Sequence, residues 1–162
     1  MGIKGEKYLK DYIRNVVSNL IKKYKTNNVY ELVDKMDIIF IRAPLDSSVN
    51  GFYQYFKRNK IIYINDKLDY FTERYVLAHE LGHAVLHPKS NITYLKCNTF
   101  YSKDKIELEA NTFACELLIT DDLLIKYKHS TFDEMAAKEC LPKELIRLKY
   151  SLIMNSQNKF TL

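Results

Sequence analysis

The chain has 162 residues, 47% of them hydrophobic, and a net charge of +5. That is enough apolar content to bury a core and to exclude a disordered segment. No apolar run approaches the roughly 20 residues that a bilayer span needs, and the basic residues are interleaved with Asp and Glu, as on a solvated surface rather than a nucleic-acid or membrane face.

The three cysteines (Cys97, Cys115 and Cys140) are widely spaced and form no CxxC pair. That pattern argues for reduced thiols in a cytoplasmic protein. Met1 to Lys7 leads into an amphipathic helix rather than a signal-peptide apolar region. Gly2 is no myristoylation site, because position 6 is Glu6.

In chain order, Glu6 to Lys25 reads as a helix, with Tyr8, Leu9, Tyr12, Ile13, Val16, Val17, Leu20, Ile21 and Tyr24 at helical period. Asn28 can cap a short second helix, with Glu31 in the capping-box position. Asp37 to Ile41, Gly51 to Phe56 and Lys60 to Asn65 are strand candidates, the last two joined as a hairpin through Lys57-Arg58-Asn59. The loop from Leu45 to Asn50 is polar, with the composition of a mobile segment.

Thr72 is placed to cap a helix over Glu73 to His87, which stops before Pro88. Asn91 to Lys103 shows no period, and Asp104 to Ile119 is helical again. Thr131 and Glu134 form a second capping box, for a helix running to about Glu139. Pro142 suits the first position of a last helix, and a polar tail follows Met154. The fold class expected is α+β, mostly helical, with a small three-stranded antiparallel sheet. The chain reads as one domain, 1–162. Residues 1–36 are its N-terminal helices, 37–119 its sheet and the two helices that follow it, and 120–162 its C-terminal helices.

The predicted motif helix carries His79-Glu80-Leu81-Gly82-His83. On a helix, positions i and i+4 share a face, about 6 Å apart between Cβ atoms. Two imidazoles so placed can converge on one zinc ion. Glu80 then sits beside the metal, where its carboxylate can take a proton from an attacking water. A catalytic zinc needs three protein ligands and one open position, and the nearest source of a third is the helix containing Glu107 and Glu109.

The stretch from His79 to His87, followed by Glu107-x-x-Ala110-Asn111-x-Phe113-Ala114-x-x-Leu117-Leu118, resembles the ImmA/IrrE family of metallopeptidases found in bacteria and their mobile elements. The second segment is also similar to the Glu-x-x-x-Asp signature of gluzincins, a zincin-like arrangement. The resemblance implies that Glu107 is the third ligand and that Asn111 stands behind His79, where gluzincins place an aspartate. Glu109, about 200° around the helix from Glu107, is the rival. Thr120 departs from the family pattern, which often has proline after the Leu-Leu pair.

The resemblance further implies a zinc-dependent, site-specific endopeptidase, with manganese as the alternative metal. Its substrate would be a helix-turn-helix repressor, cut to derepress stress or mobile-element genes. The alternative is a non-proteolytic, zinc-containing regulatory module that binds a transcription factor or DNA. Thr131 to Tyr150 faintly resembles a helix-turn-helix, but it has few basic residues on one face, which speaks against direct nucleic-acid binding.

Other residues read more plainly. A structural zinc would need a fourth protein ligand, for which Cys97 is the available thiol. His87 lies about 12 Å along the helix from His79, too far to share its metal, so it is expected to pack or hydrogen-bond at the helix end. His129 has no evident partner, and Cys115 is expected in the core. Tyr94 and Tyr101 are candidates for stabilising an oxyanion. The hairpin edge at Ile61 to Asn65 is a candidate for pairing with an extended substrate.

Overall fold

The computed structural model describes residues 3–89 and 103–157, with the side chains of 9–89 and 105–154. Helix α1 (Ile3–Tyr24) buries Ile13 and Val17 and rests Leu9, Val16 and Leu20 against the same core. Tyr12 falls outside this stripe and is 53% exposed, because it sits about 100° around the helix from Ile13. Helix α2 (Val29–Lys35) is capped by Asn28, whose side chain accepts from the Tyr30 and Glu31 backbone N–H groups. The expected return arm of the box is replaced by a surface pair: the Glu31 carboxylate lies 3.5 Å from Lys35 Nζ.

Three strands follow: β1 (Ile39–Ala43), β2 (Gly51–Phe56) and β3 (Asn59–Asn65). The β2–β3 hairpin is antiparallel, with Tyr53 opposite Ile62. The sheet as a whole is not: its order is β1-β3-β2, and β1 runs parallel to β3 with Ile39 opposite Ile61. The α+β class stands, but the sheet is mixed. Consequently Ile61 to Asn65 is the central strand, paired on both sides, and offers no edge to a substrate.

Asn65 is the last residue of β3. Its side chain is 3% exposed and donates to the carbonyls of Leu45, Asp46 and Val49, while its oxygen accepts from Lys67 N–H. The β1–β2 loop is thereby hydrogen-bonded across the end of β3. The turn of the hairpin is only two residues, Lys57 and Arg58, both left-handed (φ 47° and 68°). That is the geometry that matches the twist of paired strands.

Helix α3 (Tyr70–Leu86) starts three residues before the expected position. Asp69, not Thr72, is the cap: its carboxylate accepts from the Phe71 and Thr72 N–H groups, and also from the Thr72 hydroxyl. The helix is buried on most sides, with Leu77, Ala78, Leu81 and Ala84 all fully enclosed. It packs on α2, on β2 and β3, and on α4 (Lys103–Leu118). Lys60 reaches across from β3 and donates to the Ala84 carbonyl at 2.9 Å, satisfying the last turn of α3. Of the stretch expected to be irregular from Asn91 to Lys103, Lys103 alone is described, as the first residue of α4.

The C-terminal part contains α5 (Asp121–Lys126), α6 (Phe132–Glu139) and α7 (Lys143–Gln157). Helix α5 was not anticipated. Thr120, the departure from the family pattern, caps it by accepting from Leu123 N–H. The Thr131–Glu134 capping box forms as expected. Pro142 precedes α7 rather than opening it, and its carbonyl accepts from Leu145 and Ile146. Lys149 of α7 is 1% exposed and lies 2.7 Å from Glu116 of α4 and 3.0 Å from Asp121 of α5. Arg14 of α1 joins the same carboxylates, so one ion network ties four helices together.

Candidate metal centre

The site lies where α3 crosses α4. Gly82 makes the crossing close: a Cβ there would stand 3.1 Å from the Ala110 backbone and from Phe113 Cβ. Only a glycine fits this approach without displacement. Because the helices meet here, side chains from both converge one turn on either side of the contact.

His79 and His83 point together, with their Nε2 atoms 3.0 Å apart. Glu107 Oε2 is 3.2 Å from His79 Nε2 and 3.9 Å from His83 Nε2. One ligand atom from each of the three lies within 4.8 Å of the others. Bonds of roughly 2.0–2.1 Å to a tetrahedral ion place neighbouring ligand atoms about 3.3 Å apart, so these separations fit a single metal.

Hydrogen bonding supports the same use. His79 donates from Nδ1 to Asn111 Oδ1 at 2.9 Å, which leaves the lone pair of Nε2 facing the cluster. His83 Nδ1 is buried and makes no hydrogen bond among the described residues. Burial, with the neighbouring charge of His79, pushes the His83 pKa down to about 3, so its lone pair is available at neutral pH. Burial also opposes protonation of His79, but the Glu107 hydrogen bond and the Glu80 and Glu107 charges outweigh it, and its pKa is raised. Those carboxylates favour positive charge at the cluster.

Glu109, the rival ligand, is elsewhere. It lies 2.9 Å from His87 Nε2 and 3.7 Å from Lys105. The His87 contact has the distance of an ion pair without the alignment of a hydrogen bond. His87 itself ends α3, its N–H donating to the His83 carbonyl. Glu80 is 7% exposed, on the turn that carries His79. Cys115 is fully buried and its thiol faces the Leu145 carbonyl, as a core residue. His129 sits in an exposed turn after α5. Cys97, Tyr94 and Tyr101 lie outside the described residues.

One neighbour of the site was not anticipated. Tyr75, one turn before His79, donates its hydroxyl to Asn111 Oδ1 at 3.3 Å. Burial and the Glu107, Glu144 and Glu80 carboxylates raise its pKa, which keeps the phenol protonated and a donor. The signal was present in the spacing, since positions 75, 79 and 83 share a helix face, but a tyrosine there also reads as core.

Comparison with known proteins places the chain among metallopeptidases. A family model described as the IrrE N-terminal-like domain matches residues 33–146, a span that contains every residue of the cluster. The chain is 47% identical over 139 residues to "uncharacterized immunity region protein 2" of Bacillus phage phi105, covering 85% of this chain and 88% of that protein. It is 37% identical over 119 residues to "metallopeptidase ImmA" of Bacillus subtilis (strain 168), covering 72% and 69% of the two chains. The chain belongs to the ImmA/IrrE family.

Proposed function

We propose that the protein is a zinc-dependent, site-specific endopeptidase that cleaves a helix-turn-helix repressor and so derepresses mobile-element or stress genes. One observation carries this reading: His79, His83 and Glu107 bring their ligand atoms within 4.8 Å, across two helices that the family match spans. Two imidazoles and one carboxylate make a three-ligand set of the catalytic type, which suits zinc, with manganese as the alternative. When bound, the ion supplies Lewis-acid chemistry, acidifying a water and polarising the scissile carbonyl.

The protein's own groups do the rest. Asn111 holds the His79 ring by its Nδ1–H. Glu80, buried beside the ligands, takes the proton of the attacking water and passes it to the leaving amine. On this reading residues 1–162 are a single metallopeptidase domain, and Thr131 to Tyr150 is the stretch proposed to hold the repressor. The name of the phage relative, an immunity region protein, supports a mobile-element setting. Among the described residues no helix is long and apolar enough to cross a membrane, consistent with a cytoplasmic protease.

The test is to incubate the purified protein with the repressor encoded beside it, with zinc or with chelator. Cleavage at one bond is expected, lost with chelator and reduced by about 100-fold or more in Glu80→Gln. Undiminished cleavage in either condition overturns the mechanism. Tight binding without cleavage by the zinc-loaded protein would favour a non-proteolytic regulatory module.

A further inference from the structure

Asn111 presents an oxygen and a nitrogen at the end of a bond that can rotate by half a turn, and only one orientation suits His79. With Oδ1 toward the ring, His79 donates from Nδ1 and keeps its Nε2 lone pair, 3.0 Å from His83 Nε2 and 3.2 Å from Glu107 Oε2. With the amide reversed, Nδ2 would donate to Nδ1. The ring proton would then sit on Nε2, where it occupies the lone pair needed for a ligand. A carboxylate at this position would have two equivalent oxygens and no such ambiguity.

A second donor bears on the choice. The Tyr75 hydroxyl donates to the same Oδ1 at 3.3 Å, from a ring whose centroid is 6.5 Å from that of His79. A carbonyl oxygen has two lone pairs and accepts both donors at once. Reversing the amide would turn an N–H toward the phenol oxygen, which can accept it, but would leave the phenol proton without this acceptor, and that costs free energy in a partly buried position. We propose that Tyr75 is a positioning residue of the metal centre: it orients the Asn111 amide and thereby selects the metal-binding tautomer of His79. This rests on reading His79, His83 and Glu107 as the ligand set.

The experiment measures zinc affinity, by competition with a chromophoric chelator, for wild type, Tyr75→Phe, Asn111→Asp, the double variant and His79→Ala. Far-UV circular dichroism and thermal unfolding of the metal-free proteins accompany it. Tyr75→Phe is expected to fold as wild type and to bind zinc about 5-fold more weakly, the worth of one hydrogen bond. In the Asn111→Asp background the same change is expected to cost less than about 2-fold, because a carboxylate needs no steering. Nitrogen-15 spectra of metal-free Tyr75→Phe should show His79 moving from the Nδ1–H tautomer towards a mixture. Unchanged affinity in Tyr75→Phe, or an equal loss in both backgrounds, overturns the proposal. Full zinc affinity in His79→Ala overturns the ligand set itself, and the role of Tyr75 with it.

Discussion

Replacing Gly82 with alanine puts a methyl group into the closest approach of α3 and α4. The new Cβ would stand 3.1 Å from Ala110 Cα, Ala110 O and Phe113 Cβ, against about 3.5–4.0 Å for carbon contacts at their optimum. Two of those three atoms are backbone, so the helices themselves must part by a few tenths of an ångström. Overpacking of this kind costs about 1–3 kcal/mol, while alanine returns about 1 kcal/mol of helix propensity. The net expectation is a loss of up to about 2 kcal/mol. The sharper effect is on the site, because α3 carries both histidines and α4 carries Glu107 and Asn111. Metal geometry tolerates displacements of about 0.5 Å, so zinc affinity should fall by about 10-fold. Urea unfolding of the metal-free protein and zinc competition measure the two quantities separately. If Gly82→Ala is more stable than wild type and binds zinc equally well, the close crossing does not set the site.

Three further outcomes follow from other parts of the molecule. Arg42 donates to both oxygens of the buried Glu73 carboxylate at 2.6 and 2.7 Å, holding it below its ordinary value against the opposing effect of burial. A carboxylate whose folded pKa is depressed stabilises above its unfolded pKa and loses that contribution as pH falls through the folded one. The urea midpoint should therefore fall as pH drops below the ordinary glutamate range, and less so in Glu73→Gln; equal slopes would count against the pair. Lys57→Asn with Arg58→Gly should stabilise the hairpin by about 1 kcal/mol, because both positions have positive φ; a lower urea midpoint would contradict this. Among the described residues Lys149→Ala leaves the buried Glu116 carboxylate with only the more distant Arg14, and should cost about 3 kcal/mol; a loss under about 1 kcal/mol would show the network to be idle.

The histidine pair was legible because a four-residue spacing on a periodic helix fixes a shared face, and α3 is indeed a helix across it. Glu107 was legible only through the resemblance, since Glu109 has the same chemistry two positions on. What separates them is the crossing of α3 and α4, which puts Glu107 by the histidines and Glu109 by His87. The sheet order was not legible. Strand patterns say that β1, β2 and β3 exist, but their order is set by pairings between distant segments, such as Ile39 opposite Ile61, that local periodicity does not encode. Asp69 and Thr72 are both good caps at the same helix start, and the pattern could not choose between them. Helix α5 has six residues and none buried, so it leaves no periodic trace. Tyr75 was hidden because its role depends on which atom of Asn111 faces it, a contact between residues 36 positions apart.

Joint binding of one metal ion by α3 and α4 is open to direct observation. A zinc-edge anomalous difference map from crystals of the metal-loaded protein tests it most directly. A single peak is expected about 2.0–2.2 Å from a nitrogen of His79, a nitrogen of His83 and an oxygen of Glu107. A peak ligated by His87 or Glu109 instead, or no peak at the crossing of the two helices, would contradict it.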